Sequence, residues 1–380
     1  MQIFSLREFA PPGDVAALRE QVRDLVAQHE HRWSMEQRAN CWFSFDEEFS
    51  RALGAAGFLG MTWPKQYGGH ERHPLERYVV IEELLGLGAP AGLHWIADRQ
   101  TGPLLIKYAN ERLKHKYLPG MARGEIYACI GLSEPNSGSD LASVRTSAKK
   151  TPEGWRVNGQ KVWTSGAHES HAALTLLRTE EGSERQQGLS QLMIDLDLPG
   201  VTVRPIVDMT GQHHFNEIFF EDVLVPLDAL VGEEGQGWKQ VTAELALERS
   251  GPERYLSSHM LLEALIDHAG PTPSPPLAEL IGRLTAEMWT LRQMSLATAA
   301  KLAAGEDPMV EAAIVKDLGN AYEQAMPRLV QAVVEDVDLA DDSRLARLLK
   351  FILVQSPSYS LRGGTPEVLR GIIARGLGLR

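Results

Sequence analysis

The segment from residue 155 to 167 reads WRVNGQKVWTSGA, and it decides how the middle of the chain is interpreted. Two short runs of β-forming residues, Trp155–Val157 and Gln160–Thr164, flank the pair Asn158-Gly159. Asn-Gly between two such runs is the strongest short-range signal for a β-hairpin, because both turn positions need a positive φ. The sequence therefore predicts a hairpin over residues 155–164, with its turn at Asn158-Gly159.

A second unusual segment lies just upstream and reads GLSEPNSGSD, from Gly131 to Asp140. It places hydroxyl groups and glycines in a loop that follows the apolar run Ile126–Leu132. Hydroxyl groups and bare backbone beside a wide aromatic ring such as Trp163 could seat a flat ligand with polar edges. An ordinary hairpin with its loop is the alternative.

Composition limits the classes of protein that this chain can belong to. With 380 residues it can form two or three domains, and 43% apolar with 23% charged residues is typical of a globular protein. The net charge of −12 argues against a nucleic-acid-binding protein, which needs a basic face. Cys41 and Cys129 form no CxxC pair and have no metal-ligand spacing, so we predict no metal site and expect a reducing cytoplasm. We also see no secretory signal and no apolar run near the ~20 residues of a membrane span.

The hydrophobic period changes twice along the chain, near residues 126 and 237. Helical spacing dominates before the first change, with these predicted helices: Asp14–His29, Phe45–Ala56, Leu75–Leu87, Gly102–Tyr108 and Asn110–Pro119. Short β runs follow, which are Tyr127–Ser133, the hairpin, Ala172–Leu177, Leu189–Asp195, Val201–Ile206 and Phe215–Val225. Helical spacing returns at Gly237, and the long predicted helices are Leu277–Ala304, Asp307–Val334 and Ser343–Val354.

This order predicts an α+β protein with three domains. We expect an N-terminal helical domain over 1–125, a central β-barrel or sandwich over 126–235 and a C-terminal helical bundle over 236–380. Strands and helices do not alternate, which disfavours a Rossmann domain. The glycines of VGEEGQG, residues 231–237, also have the wrong spacing for a dinucleotide-binding fingerprint.

The two motifs resemble those of a known family. GLSEPNSGSD at 131–140 resembles the first flavin motif of the acyl-CoA dehydrogenase family, and KVWTS at 161–165 resembles the second. WPKQYGG at 63–69 and FNEIFFEDVLVP at 215–226 match the same family in order. The resemblance implies FAD as cofactor and an acyl-CoA thioester as substrate. A base would take the α proton, the flavin would take the β hydrogen as hydride, and an electron-transfer flavoprotein or similar acceptor would receive the electrons.

The resemblance also assigns roles to residues of the first flavin motif. The backbone of Leu132 and the hydroxyl of Ser133 would meet the pyrimidine edge of the flavin. Gly138 and Ser139 would lie by the pyrophosphate, and Ser139 would also reach the substrate.

The second motif and the C-terminus supply the other cofactor residues. Trp163 would pack along the isoalloxazine ring, while Thr164 and Ser165 would face its hydride-accepting nitrogen. Near the C-terminus, Thr365 is a predicted N-cap before Pro366, and Glu367 lies in the first helical turn. We assign Thr365 and Glu367 to the cofactor site, because free N–H groups at a helix start favour polar or anionic oxygen atoms. A capped helix with nothing bound is the alternative.

The catalytic base is the main departure from the common family pattern. The usual glutamate precedes a Gly-Thr pair, and here Gly363 precedes Gly364-Thr365. A minority of the family carries the base in the helix after the β domain, and Glu248 matches that position. Glu248 also continues the apolar face of Val241 and Leu245, where partial burial would raise its pKa. We therefore predict Glu248 as the base, with a structural glutamate as the alternative.

Three further positions bear on substrate and assembly. Arg249 matches an arginine beside the acyl-CoA site, so we assign it to substrate binding, with a helix-packing salt bridge as the alternative. The arginine that often reaches the flavin of a neighbouring subunit is missing from Ser274–Leu277, and the adenosine-contacting glutamine and paired glycines are missing from Gln331–Gln355. These gaps predict an oligomer, and the chain resembles one subunit of bacterial members built from two unlike homologous chains.

Two other functions stay open at this point. The chain could be a non-catalytic subunit that supports an active homologue. It could also be an acyl-CoA oxidase, since nothing in the sequence separates oxidase from dehydrogenase.

Overall fold

The computed structural model describes residues 11–249, 251–334 and 337–379, except for the side chains of residues 243–248. The N-terminal part is helical, as predicted. Its α-helices are α1 (Val15–His29), α2 (Met35–Ala39), α3 (Glu47–Ala55), α4 (Pro74–Gly86), α5 (Gly92–Ile96), α6 (Gly102–Tyr108) and α7 (Glu111–Ala122). Asp14 caps α1 by accepting a hydrogen bond from the Ala17 N–H at 3.0 Å.

The middle of the chain forms one eight-stranded sheet. The strands are β1 (Ala128–Gly131), β2 (Ser147–Thr151), β3 (Gly154–Ser165), β4 (Ala172–Arg178), β5 (Leu189–Asp195), β6 (Val201–Val207), β7 (His213–Val225) and β8 (Leu230–Val231). Their order is β6-β7-β3-β2-β4-β5-β8, and β1 pairs with β4 in parallel. Most other neighbouring strands are antiparallel. The sheet lies between the helical N-terminal and C-terminal parts of the sequence, so the predicted order of helical, β and helical regions is confirmed.

The predicted hairpin at Asn158-Gly159 is wrong. Strand β3 runs through both residues, and the real turn is Pro152-Glu153, which joins Thr151 to its partner Gly154. The Asn-Gly pair instead lies at a register shift between β3 and β7. Gly159 has a φ of 145°, and a Cβ there would lie 2.5 Å from Thr146 Oγ1. The pair therefore serves a bulge and a close approach between strands, for which glycine is equally suited.

Strand β4 packs against apolar residues on both faces of the sheet. Successive residues of β4 point to opposite faces. Ala173 and Leu177 belong to a cluster with Trp155 and Phe220, whereas Leu174 packs with helical residues that include Leu105. A continuous apolar run is typical of a strand that is buried on both faces.

The C-terminal part is again helical. Its α-helices are α8 (Gly237–Glu248), α9 (His259–Ala269), α10 (Pro275–Ala303), α11 (Met309–Val333), α12 (Arg344–Gln355) and α13 (Pro366–Gly376). Among the described residues, no helix is long and apolar enough to cross a membrane.

Packing divides the chain into two compact units. The first contains the described residues within Met1–Ser44, Arg72–Ala91 and Glu248–Arg380, and the second contains Phe45–Glu71 and Gly92–Leu247. The second unit combines the sheet with α6 and α7. The domain borders at 125/126 and 235/236 stay predictions.

Candidate cofactor and catalytic site

The two segments that were singled out in the sequence lie side by side in the second unit. The Val162 N–H donates to the Ser133 carbonyl at 2.9 Å. Lys161 Nζ donates to the Leu132 carbonyl at 3.0 Å and to Glu134 Oε1 at 2.8 Å. These bonds join the loop after β1 to strand β3, so both motifs share one rigid framework.

The Glu134 carboxylate is the centre of this framework. It also accepts hydrogen bonds from the Arg145 N–H at 2.7 Å and the Thr146 N–H at 2.8 Å. Burial alone would raise the pKa of Glu134, but the Lys161 ammonium and these backbone donors hold that pKa below its usual value. Burial lowers the pKa of Lys161 to about 8, against the opposing influence of Glu134. The hydrogen bonds described for this pair hold the loop after β1, so Glu134 is a structural carboxylate.

Trp163 is presented outward by a distortion of strand β3. Its φ is 59°, which is uncommon for a residue with a bulky side chain, and the register with β7 shifts between Lys161 and Thr164. The side chain is 59% exposed and meets Phe215 edge-on at 5.9 Å between ring centroids. Strain of this kind concentrates at functional sites. A large exposed ring at a strained position is typical of a ligand-binding surface.

Thr164 and Ser165 follow Trp163 on the same strand. Thr164 is buried, and its hydroxyl oxygen has no hydrogen-bond partner among the described residues. Ser165 is half-buried and pairs with Phe215 of β7. A buried hydroxyl without a partner is costly, and a bound polar group would remove that cost.

Gly138 and Ser139 lie in the exposed part of the loop after β1. The loop folds back on itself through two backbone hydrogen bonds between Glu134 and Ser137, at 2.9 and 3.0 Å. Ser137 Oγ also donates to the Asp140 carbonyl at 2.6 Å. A Cβ placed on Gly138 would meet nothing within 4 Å, so the backbone here is open to an approaching group.

A second group of predicted residues lies in the first unit. The buried Arg249 follows α8, and its Nε donates to the Gly363 carbonyl at 3.1 Å. The fully buried Lys316 donates from Nζ to the Gly364 carbonyl at 2.9 Å. Two cations therefore hold consecutive peptide groups of one loop. Glu248 is the last residue of α8, but its side chain lies outside the described part of the chain.

Helix α13 begins as predicted, with Thr365 at the N-cap position, Pro366 as its first residue and Glu367 in its first turn. Thr365 occupies the N-cap position, yet its side chain makes no capping hydrogen bond. Hydrogen bonds from the Glu367 backbone and from the Thr365 hydroxyl lower the pKa of the exposed Glu367 carboxyl.

Comparison with known proteins identifies the family. Residues 13–125 match the model of the acyl-CoA dehydrogenase N-terminal domain, and residues 129–223 match the model of its middle domain. Acyl-CoA dehydrogenase FadE29 of Mycobacterium tuberculosis is 33% identical over 336 residues, which cover 85% of this chain and 86% of that protein. The chain belongs to the acyl-CoA dehydrogenase family. It is therefore a member of a family of flavoprotein oxidoreductases.

Solved structures support the same family and fold. A chain of the Tcur3481-Tcur3483 steroid ACAD is 27% identical, with a TM-score of 0.85 and 99% of each chain covered. A chain of the ChsE4-ChsE5 complex from Mycobacterium tuberculosis is 26% identical, with a TM-score of 0.83, and the match covers 98% of this chain and 100% of that one. Each of these two proteins is named as a pair of components.

Sequence reasoning missed a polar stripe on α11. Lys316, Asn320 and Glu323 recur at helical spacing, and all three are buried. Glu323 forms a 3.0 Å ion pair with Arg362 and accepts the Ser257 N–H at 2.7 Å. Charged residues at core-facing spacing were a readable signal, because buried charges need partners. Their presence indicates a polar core beside the Gly363–Gly364 loop.

Proposed function

We propose that this acyl-CoA dehydrogenase family member binds FAD and catalyses α,β-dehydrogenation of an acyl-CoA thioester. One observation carries the proposal: the strained, exposed Trp163 is followed by Thr164, whose hydroxyl is buried without a described partner. Both residues lie at the flavin positions of the matched motif. An exposed aromatic face and a buried hydroxyl suit a flat ring with polar edges.

The residues present fit FAD in chemistry as well as in position. Leu132 and Ser133 would meet one edge of the flavin, and their carbonyl groups are already fixed by Lys161 and Val162. Gly138 and Ser139 are exposed and open, as a pyrophosphate site requires. Thr365 and Glu367 stay assigned to the cofactor. When bound, FAD supplies the acceptor for the hydrogen that leaves the β carbon of the substrate.

We further propose Glu248 as the base that takes the α proton. The support is local: Arg249, the next residue, bonds to the carbonyl of Gly363, which is the position where most of the family carries its base. The end of α8 therefore adjoins a loop that offers no carboxylate at that position. A general base works best when its pKa lies near the working pH, and burial is the usual means of raising a carboxyl pKa.

Arg249 is proposed as a substrate-binding residue, and Ser139 as a second contact. The bond from Arg249 Nε to Gly363 orients the guanidinium. A guanidinium carries its N–H donors in a fixed planar fork, which suits the polar oxygens of a CoA thioester.

Assembly with an unlike homologous chain is part of the proposal. Helix α10 begins at Pro275 after Ser274, and this start carries no arginine that could reach a neighbouring flavin. The two structural relatives are named as pairs of components. We propose an electron-transfer flavoprotein or a similar acceptor for the electrons. A non-catalytic role beside an active homologue is the second candidate, and Gly363 favours it, because the usual base is absent.

The direct test is purification of the chain with a homologous partner, followed by anaerobic addition of acyl-CoA thioesters. The panel includes straight-chain acyl groups and a steroid side-chain thioester, since one relative is named a steroid ACAD. We expect loss of the oxidised-flavin absorbance and an α,β-unsaturated product. A complex that binds no FAD contradicts the proposal and supports the non-catalytic role. Oxygen consumption during turnover would identify an oxidase.

A further inference from the structure

A buried asparagine links the predicted flavin edge to two histidines. Asn216 of β7 is fully buried, and its Nδ2 donates to the Thr164 carbonyl at 3.0 Å. The same Nδ2 lies 3.1 Å from His168 Nδ1, and Asn216 Oδ1 lies 2.8 Å from His213 Nε2. The two imidazole rings are stacked, with centroids 3.8 Å apart. The Thr164 carbonyl, beside the strained Trp163, thus accepts a hydrogen bond from an amide that also contacts two titratable rings.

The proton positions in this network follow from the donors and acceptors. An amide nitrogen only donates, so both Asn216 hydrogens are used by the Thr164 carbonyl and by His168 Nδ1. His168 Nδ1 must then carry a lone pair, which places the proton of a neutral ring on Nε2. His213 must donate from Nε2, because Asn216 Oδ1 only accepts. The arrangement requires a neutral His168 and tolerates either charge state of His213.

Protonation of His168 would break the arrangement. A second N–H on His168 would face the amide N–H of Asn216, and the bond between them would be lost. Rotation of the amide by half a turn would restore a bond to His168. It would also place the amide oxygen against the Thr164 carbonyl oxygen. No amide orientation satisfies Thr164 and a protonated His168 together.

The groups around His168 shift its pKa in opposite directions. Burial lowers the pKa of His168, as does His213, while Glu169 opposes the shift with Oε1 at 3.9 Å from Nε2. His214 is the other titratable group of this end of β7, and burial lowers its pKa as well. Asp208 raises the pKa of His214, and its Oδ1 also accepts the Thr210 N–H at 2.8 Å.

Charged groups further along the two strands next to His168 are engaged elsewhere. The Arg204 guanidinium of β6 lies over the Phe219 ring, 4.8 Å from its centroid. Glu217 of β7 accepts from Gln160 Nε2 at 2.7 Å.

We propose that Asn216 is a positioning residue for the Thr164–Ser165 flavin edge, and that it holds this edge only while His168 is neutral. FAD binding should then weaken as the pH falls through the titration of His168. The inference rests on the proposed function, because it gives this edge to FAD. The histidine network itself can be tested without the cofactor.

The experiment measures the FAD dissociation constant of the full chain, with its partner, between about pH 8 and 4. The range extends further below an ordinary histidine pKa of ~6.5 than above it, because burial lowers the pKa of His168. The wild-type dissociation constant should rise about five- to tenfold at low pH, the effect of one hydrogen bond. His168→Gln keeps an acceptor that cannot be protonated, so its dissociation constant should show no such rise. His115→Gln is the control, because His115 is an exposed histidine of α7. Its dissociation constant should change with pH as that of the wild type does.

Asn216→Leu removes the bond to Thr164, so FAD should bind more weakly at every pH. A wild-type profile as flat as that of His168→Gln would overturn the proposal. Ring ¹⁵N NMR of the FAD-free chain adds a second readout: His168 should carry its proton on Nε2 and titrate below an ordinary histidine. The opposite tautomer would overturn the network. A chain that shows the expected tautomer but binds no FAD would overturn the proposed function alone.

Discussion

Lys161 and Lys316 are both fully buried, and each donates from Nζ to a backbone carbonyl of a loop assigned to a ligand. Lys161 lies on a strand of the second unit and forms an ion pair with Glu134 of the same loop. Lys316 lies on a helix of the first unit and holds the neutral Gly364 carbonyl. The loop after β1 thus contributes a buried carboxylate to its lysine, whereas the Gly363–Gly364 loop contributes a neutral carbonyl. Loss of the lysine should therefore cost more at the first loop than at the second.

The largest effect is expected from Lys161→Met. The Glu134 carboxylate would stay buried without its cation, which typically costs about 3–5 kcal/mol of the free energy of unfolding. Urea unfolding measures the loss, and Lys150→Met is the matched control, because Lys150 is exposed on the neighbouring strand β2.

The loss of stability in Lys161→Met should also depend on pH. The lowered pKa of Glu134 stabilises the fold above the ordinary glutamate range, and this contribution is lost as the pH falls through the lowered value. The difference in the free energy of unfolding between the wild type and Lys161→Met should therefore become smaller at acidic pH. A variant as stable as Lys150→Met at neutral pH would show that the pair does not hold the loop.

A smaller loss is expected from Lys316→Met. The Gly364 carbonyl would lose a buried donor, which typically costs about 1–3 kcal/mol. Urea unfolding again measures the change, with the exposed Lys350→Met as control. If Lys316→Met lowers the free energy of unfolding more than Lys161→Met does, the expected order of the two loops is wrong.

The smallest effect is expected from Trp163→Ala, which should leave the fold intact and weaken FAD binding about tenfold, by loss of ring contact. The dissociation constant follows from flavin fluorescence. Trp289→Ala is the control, because Trp289 is similarly exposed but lies on α10. Equal FAD affinity in both variants would remove Trp163 from the cofactor site.

Local patterns explain how much of this structure was predictable. The Asp14 cap and the alternation of apolar residues depend on near neighbours in the sequence, so α1 and most strands were predicted closely. Asn158-Gly159 was misjudged, because a positive-φ preference suits both a turn and a bulge, and only pairing with β7 decides between them. The bond from Lys316 to Gly364 spans 48 residues, a separation that no local pattern encodes.

The candidate site also contains a part that local motifs indicate and a part that only the three-dimensional structure reveals. Leu132, Ser133, Trp163 and Thr164 lie in two adjacent, hydrogen-bonded segments, and their cofactor roles stay predictions. Their fixing residues were missed, because Asn216 and His168 act through an amide network that depends on side-chain geometry. Sequence motifs therefore group neighbouring segments better than they identify the distant side chains that hold those segments in place.

The most direct test of the central claim is the rate of flavin bleaching in Glu248→Gln on anaerobic mixing with acyl-CoA. Glutamine keeps the size of the side chain and removes its basic oxygen, so FAD and acyl-CoA should still bind. The rate should fall by about two to four orders of magnitude, the usual effect of losing a general base. Glu279→Gln, on the exposed face of α10, should react as wild type. Bleaching of Glu248→Gln at the wild-type rate would contradict the assignment and place the base elsewhere.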